Sequence, residues 1–256
     1  MDFDEEIANL DKYNRNMRQS LQDKMFFVDM ISPDVIVDYG CADGSMIDAL
    51  SEQYDDVALI GYDIDDKMVA VANARHIPNT AFTTDWSSIE NTVPKLGTSA
   101  IILSSVIHEV YAYATSEDTI AEFWRRVFTF DYIAIRDMIP SEEADRPSDP
   151  EDVAKVRETA DPKYLQSFEE HWGSIDNNLN LMHYLLKYKY IHNWDREVEE
   201  NYLPITREEL THMIPSDYSI VYQEHYILPY TAKVIENEFD IKLKDDTHLK
   251  MLLKRT

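Results

Sequence analysis

Two acids and a glycine-rich turn stand at spacings that suit the binding of a nucleoside. The run VIVDYGCADG delivers Asp38 and then places Gly40, Ala42 and Gly44 at alternate positions before a helical pattern begins. Small residues let a ligand approach the backbone, and the amino terminus of the next helix offers free amides. A later strand pattern ends in Asp63, where a carboxylate can accept both hydroxyls of a ribose. This combination predicts a site for an adenosine compound.

A second group of reactive side chains follows a later apolar run, at SSVIHEVYAY. His108 has an intrinsic pKa suited to proton transfer, and Glu109 could orient it or bind a cationic acceptor. Tyr111 and Tyr113 are candidates for contacts with the substrate. The alternative is structural, with His108 capping a loop and Glu109 beginning a solvated helix.

The elements that must position these residues alternate between strand and helix. Continuous runs of apolar residues, separated by helical patterns, predict five strands at Val35–Tyr39, Val57–Asp63, Asn79–Asp85, Ser99–Val106 and Asp131–Asp137. Continuous rather than alternating hydrophobicity is typical of parallel strands covered on both faces. The sequence therefore predicts an α/β fold with a doubly wound, mostly parallel sheet.

Further segments flank or interrupt this pattern. Residues 1–33 form an N-terminal extension whose apolar residues recur at steps of three and four, which predicts one long or two shorter amphipathic helices. After the cofactor-binding half at 34–140, residues 141–204 predict a helical insertion that begins with an exposed acidic excursion at Ser141–Pro162.

The last segment, 205–256, predicts a capped helix at Thr206–Ile214 and a further helix at Thr231–Phe239. Strands at Tyr218–Leu228 and Thr247–Lys254 would bring the sheet to about seven strands. We expect one domain over 1–256.

These motifs resemble the class I S-adenosylmethionine-dependent methyltransferases. Asp38, Gly40 and Gly44 give the form D-x-G-x-x-x-G, whereas a nicotinamide site usually has its glycines without that acid. Asp85 and Trp86 follow the third strand, where this family commonly contacts adenine, and the run from Ser104 to Tyr111 matches its acceptor-side loop in position. Ala42 stands where the family often has glycine.

The resemblance implies a fold, a cofactor and a set of roles. The cofactor would be S-adenosylmethionine, leaving S-adenosylhomocysteine as product. Asp63 and Ile64 would hold its ribose and adenine, Asp85 would accept from the adenine amino group and Trp86 would pack on the ring. The cofactor-binding set implied is Asp38, Gly40, Ala42, Gly44, Asp63, Ile64, Asp85, Trp86 and Ser104. His108 would act as the base, with Glu109 beside it, on an oxygen or nitrogen of the acceptor.

Composition narrows the class of protein. With 49 acidic and 24 basic side chains the net charge is −25, which disfavours a broad phosphate-binding face and an anionic membrane. A hydrophobic content of 44% is ample for a packed core. Cys41 is the one cysteine, so neither a disulfide framework nor a cysteine-based zinc site is expected, and no compact cluster predicts another metal. We expect a soluble, cytoplasmic protein.

One segment departs from the acidic composition and leaves the acceptor open. His183–Trp194 contains no acid and interleaves Lys187 and Lys189 with aromatic residues, which suits stacking on bases. It would serve an RNA-end or tRNA methyltransferase. Alternatively, the tyrosines pack on the core with both lysines reaching outward. A small-molecule acceptor is favoured because the net charge opposes extended contact with nucleic acid. Two further hypotheses are a catalytically silent cofactor- or partner-binding domain and a nicotinamide-dependent enzyme.

Overall fold

The computed structural model describes residues 21–188 and 190–256. The amphipathic helices predicted for the N-terminal extension lie largely outside these residues. Within the described part of the extension, a short 3-10 helix covers Val28–Met30, and an extended Ile31 follows it.

The described residues contain seven strands in one sheet, in the order β3-β2-β1-β4-β5-β7-β6. Strand β1 pairs in parallel with β2 and β4, and β2 pairs in parallel with β3. The predicted α/β class with a doubly wound, mostly parallel sheet is confirmed, and it is the fold that the methyltransferase resemblance implies. The strands are β1 Val35–Tyr39, β2 Ala58–Tyr62, β3 Thr80–Thr83, β4 Ser99–Ser104, β5 Tyr132–Asp137, β6 Tyr218–Tyr226 and β7 His248–Arg255.

Helices separate the strands as the hydrophobic patterns predict. The capping box predicted at Thr206 and Glu209 is present, with each side chain bonded to the backbone of the other residue. The helices are α1 Ser45–Ser51, α2 Asp66–Asn73, α3 Trp86–Thr92, α4 Ile107–Tyr113, α5 Glu117–Val127, α6 Pro150–Thr159, α7 Pro162–Trp172, α8 Asn178–Tyr188, α9 Trp194–Glu197, α10 Arg207–Met213 and α11 Pro229–Phe239. None of these helices has the length and apolar composition of a membrane span.

The segment Ser141–Pro162, predicted as the exposed start of the helical insertion, contains a short 3-10 helix at Glu142–Ala144 and helix α6, and most of its residues are exposed. Asp149 caps α6 by accepting from the Glu151 amide, and Pro150 fits the first turn, where no amide donor is needed. Val153 and Val156 then fall on one helical face and are buried. The acids and prolines are compatible with this helix because both kinds of residue are favourable at a helix start.

The chain divides into two compact units. The first unit runs through Ser104 and adds Thr129–Ile135 and Leu252–Arg255. The second unit comprises Ser105–Phe128, Arg136–Met251 and Thr256.

In the first unit, two acids fix the amino ends of the central strands. Asp34 accepts from the Thr98 amide at 2.7 Å, and Asp131 accepts from the Ser99 amide at 2.8 Å and from its hydroxyl. Strand β1 is buried on both faces, as its continuous run of apolar residues predicts. These hydrogen bonds fix the amino ends of the strands. Ligands of such folds bind at the opposite edge, in the loops at the carboxyl ends.

The second unit has an apolar core of its own, formed by helices α6 to α9 and α11. Phe168 and Tyr184 are fully buried there, with ring centroids 5.3 Å apart in an edge-to-face arrangement. The predicted helical content of 141–204 is therefore confirmed, and its aromatic residues pack within the unit.

Gly61 of β2 lies close to Phe82 of β3 and to Cys41 in the turn after β1. A Cβ atom there would lie 2.7 Å from Cε1 of Phe82 and 2.8 Å from Sγ of Cys41. We expect Gly61→Ala to lower the free energy of unfolding by about 1–3 kcal/mol through overpacking. Urea denaturation measures this change.

The double variant Gly61→Ala/Phe82→Leu provides the control. Since the ring accounts for most of the collision, the two changes should be non-additive by roughly 1 kcal/mol in favour of the double variant. Strict additivity would contradict this packing.

Candidate functional site

The turn after β1 is built from residues with left-handed backbone conformations. Gly40, Ala42 and Gly44 have φ angles of 79°, 45° and 79°. The amides of Gly40 and Cys41 both donate to the carbonyl of Tyr62, at 2.8 and 2.9 Å, which ties the turn to the end of β2. Ala42 is one of the non-glycine residues in this conformation, so the departure from the family pattern is accommodated by local strain.

Asp63 links the end of β2 to that turn. One carboxylate oxygen, Oδ2, accepts from the Ala42 amide at 2.9 Å, and Oδ1 accepts from the Asp65 amide at 2.9 Å. Each oxygen keeps a further lone pair, so the carboxylate can accept two more hydrogen bonds. Ile64 beside it is 79% exposed, which is unusual for an isoleucine and leaves an apolar surface next to the carboxylate.

Asp38 is a buried acid near the same turn. It is 3% exposed, and no hydrogen bond to its carboxylate is present in the described part of the chain. Burial raises the pKa of Asp38 to about 7, against the lowering effect of Lys24 and with a further raising effect from Asp63. Strand β1 places Asp38 opposite Gly61 of β2 and Ile102 of β4.

Asp85 and Trp86 begin α3 but have different surroundings. Asp85 is exposed and caps the helix by accepting from the Ser87 amide. Trp86 is buried, with its ring against Tyr39 and Tyr62. This placement favours a packing role for Trp86, and its contact with adenine stays a prediction.

Ser104, the last residue of β4, carries a buried hydroxyl. Its Oγ has no hydrogen-bond partner in the described part of the chain. An unsatisfied buried hydroxyl costs free energy, so a ligand that bonds to it would recover that cost.

In the second unit, His108 is held by a carboxylate that the sequence interpretation did not include. Nδ1 lies 2.7 Å from Oδ1 of Asp137, whose carboxylate also accepts from the amides of Ile107 and Met138. Burial acts to lower the pKa of His108, but Asp137 and the nearby acids Glu109 and Glu200 outweigh it and raise the pKa. With Nδ1 committed to Asp137, neutral His108 presents Nε2 as the basic nitrogen.

Two glutamates lie near this imidazole. Glu200 is 4% exposed and accepts from the Tyr113 hydroxyl at 2.7 Å and from Arg196 at 2.9 Å. Glu109 is half-buried, and the described residues offer its carboxylate no hydrogen bond. Burial raises the pKa of Glu109, with His108 and Arg196 opposing this and Glu200 adding to it.

Tyr111 and Tyr202 complete the surroundings of α4. The Tyr111 hydroxyl accepts from the indole of Trp124 at 3.1 Å. Tyr202 places its ring edge-on to His108, with centroids 5.7 Å apart.

Lys187 is buried, which corrects the expectation that both lysines of the basic segment reach outward. Its side chain is fully inaccessible, and Nζ donates to the carbonyls of Glu197 and Glu200 while lying 3.8 Å from the centroid of the Tyr202 ring. Burial lowers the pKa of Lys187 to about 8, against the raising effect of the two glutamates. Lys189 lies outside the described residues.

The structure thus brings the predicted residues together in two groups. The glycine turn, Asp38, Asp63 and Ile64 lie in the first unit, and His108, Glu109 and Tyr113 lie in the second. Within the described residues no cluster of three or more His, Cys, Asp or Glu side chains is arranged to hold a metal ion.

Asp137, Glu200 and Tyr202 are the residues that the sequence interpretation missed. Asp137 carries a readable signal, since it closes a predicted strand as Asp63 does. Glu200 and Tyr202 follow a short helix far along the chain from α4, and no local pattern links them to it.

We expect Asp137→Asn to lower the pKa of His108. The substitution removes the carboxylate that stabilises the imidazolium, while burial, which favours the neutral ring, remains. An NMR pH titration of the His108 ring measures the change.

Asp118→Asn, which alters an exposed acid of the same unit, is the matched control and should leave the His108 midpoint in place. An unchanged or raised midpoint in Asp137→Asn would show that this carboxylate does not set the charge of the ring.

The chain was compared with known proteins. No family model matches the sequence, and neither does any curated protein. Among solved structures, the plantazolicin methyltransferase BpumL with a monoazolic desmethylPZN analog and SAH is similar at 15% identity over 97% of this chain and 88% of that one, with a TM-score of 0.49. The methyltransferase domain of bacterial CtHen1-C is similar at 13% identity over 92% and 98%, also at 0.49. The plantazolicin methyltransferase BamL is similar at 12% over 98% and 91%, at 0.48. At these identities the likeness concerns the fold and assigns no role to any residue of this chain.

Proposed function

We propose that this chain is an S-adenosylmethionine-dependent methyltransferase. The observation that carries the proposal is Asp38, a buried acid without a hydrogen-bond partner in the described residues, at the end of the strand that leads into the glycine turn. A buried carboxylate without a partner is costly, and a cationic ligand offsets that cost. S-adenosylmethionine carries two positive groups, its sulfonium and its ammonium.

The same acids argue against a nicotinamide-dependent enzyme. A dinucleotide would bring its anionic pyrophosphate to the turn, close to Asp63 and in the field of Asp38. Like charges in a partly buried site are unfavourable. The site charge therefore supports a cationic nucleoside over an anionic dinucleotide.

In this proposal, the ribose and adenine of the cofactor contact side chains that can still accept or donate hydrogen bonds or that are exposed. Asp63 accepts the two ribose hydroxyls with its remaining lone pairs, and the exposed Ile64 covers one face of the adenine. Asp85 accepts from the adenine amino group. Trp86, the first residue of α3, packs its ring against Tyr39 and Tyr62. The Ser104 hydroxyl, unpartnered among the described residues, bonds to the cofactor.

The chain supplies a base for the transfer. When bound, the cofactor offers an electrophilic methyl carbon, so alignment of the acceptor supplies much of the acceleration. His108 accepts the acceptor's proton at Nε2, since Asp137 holds Nδ1 and stabilises the charged ring. Asp137 is thus a positioning residue.

The acceptor is proposed to be a small molecule. An RNA acceptor was favoured by the basic segment His183–Trp194, but His183, Tyr184 and Lys187 are all buried. These three side chains are therefore not available to pair with or stack on RNA, and the net charge of −25 opposes extended phosphate contacts.

We expect Asp63→Asn to weaken S-adenosylhomocysteine binding about tenfold to a hundredfold, because an amide keeps one acceptor oxygen where the carboxylate has two charged ones. Isothermal titration calorimetry measures the affinity. Asparagine keeps an oxygen for the Ala42 amide, so the turn should retain its fold.

Asp56→Asn, an exposed acid of the same unit, is the matched control and should bind as the unaltered protein does. Equal affinity for both variants would overturn the ribose assignment.

The raised pKa of Asp38 predicts a pH-dependent affinity for S-adenosylmethionine. Asp38 is ionised above about pH 7 and protonated below it. A ligand that requires the carboxylate should therefore bind about tenfold more weakly at pH 6 than at pH 8. Asp38→Asn should abolish the dependence.

Adenosine is the control ligand for this measurement because it lacks both cationic groups. Its affinity should vary little over the same range. A pH dependence of equal size for adenosine, or one that survives in Asp38→Asn, would show that Asp38 does not bind the cationic part.

A further inference from the structure

The second unit surrounds one imidazole with three carboxylates. Asp137 bonds to His108 directly, and Glu109 and Glu200 act on its charge from nearby. Arg196 is the cation that pairs with Glu200, and its side chain is 58% exposed. With His108 neutral, as a base must be, the three carboxylates carry three negative charges, against one positive charge on Arg196 and one on the buried Lys187, whose charge also acts on Glu200.

Two functional groups of this cluster are uncommitted in the described residues. Nε2 of His108 has no hydrogen-bond partner, although the residue is only 7% exposed. The half-buried carboxylate of Glu109, the next residue on α4, has none either. A buried basic nitrogen and a carboxylate without a hydrogen bond, on consecutive residues of one helix, together suit a ligand that donates several protons and carries positive charge.

The other two acids already have hydrogen-bond partners, and their carboxylates contribute to the negative charge of the site. Asp137 accepts from His108 and two backbone amides, and Glu200 accepts from Tyr113 and Arg196. A carboxylate or phosphate on the acceptor would meet a net negative field. A neutral alcohol would leave the charge of Glu109 uncompensated.

We infer that the methyl acceptor is an amine, bound as an ammonium by Glu109 and deprotonated by Nε2 of His108. This inference rests on the proposed function and names its substrate class. Of oxygen and nitrogen acceptors, the amine is the one that both arrives as a cation and must lose a proton before its lone pair can attack.

The transfer balances without any further reactant. An N–H proton of the ammonium passes to Nε2, and the imidazolium formed is stabilised by Asp137. The amine lone pair forms the N–C bond to the methyl carbon, while the C–S bond breaks and its electron pair stays on sulfur. The products are a thioether and a methylated ammonium ion.

The test compares three probes of one skeleton: 2-phenylethylamine, 2-phenylethanol and phenylacetate. Each is presented at millimolar concentration to the full chain with S-adenosylmethionine, and methylated product is measured by mass spectrometry. Binding is followed in parallel through the NMR signal of the His108 ring. We expect product and a ring-signal shift with the amine alone.

Glu109→Gln should weaken amine binding at least tenfold, while its matched control Glu199→Gln, an exposed acid of the same unit, should not. His108→Ala should abolish product and leave S-adenosylhomocysteine affinity unchanged. Equal response to the alcohol, preference for phenylacetate, or no response to any probe would overturn the amine inference.

Calorimetry with S-adenosylhomocysteine separates this failure from that of the proposed function. Tight binding of S-adenosylhomocysteine without a preference for the amine probe would contradict only the inferred class of acceptor. If the unaltered protein does not bind S-adenosylhomocysteine, the methyltransferase proposal is wrong, and the amine inference, which depends on it, is wrong as well.

Discussion

Removing a carboxylate from water is the costly event around which both candidate groups are organised. An ionised acid in a protein interior needs hydrogen bonds or opposite charge, and otherwise its pKa rises until it takes up a proton. The chain buries Asp38, Asp137, Glu197 and Glu200. How each of these acids is compensated separates structural acids from those available to a ligand.

Asp137 and Asp38 are the two extremes. The carboxylate of Asp137 has hydrogen bonds to His108 and to two backbone amides. These contacts outweigh the effect of burial, so the pKa of Asp137 is lowered. For Asp38, the charge of Lys24 opposes the effect of burial without overcoming it, and the pKa rises to about 7. An acid like Asp137 stabilises what surrounds it, whereas for an acid like Asp38 we propose that a ligand supplies the missing contacts.

The sequence predicts those features that local patterns encode. Continuous apolar runs mark the buried parallel strands, and the left-handed positions of the turn fall on Gly40 and Gly44, where glycine makes them inexpensive. Lys187 is the opposite case. A lysine side chain is normally a solvated cation. Lys187 is buried because carbonyls of residues ten and thirteen positions later accept hydrogen bonds from its ammonium group. Such a contact depends on how the chain after α8 folds back towards that helix, and the residues around Lys187 in the sequence do not encode this.

The acids behind the net charge of −25 differ in how far they are compensated. Many surface acids are paired along one seam of the second unit, where Arg146 meets Asp245, and Lys244 meets Asp149 and Asp152. Glu109 is different because it is half-buried, adjacent to a base and without a hydrogen bond in the described residues. The excess of acid therefore matters for function at a few desolvated positions rather than over the whole surface. Under the proposed function, each uncompensated charge at those positions favours a cation, both in the nucleoside and in the group that receives its methyl.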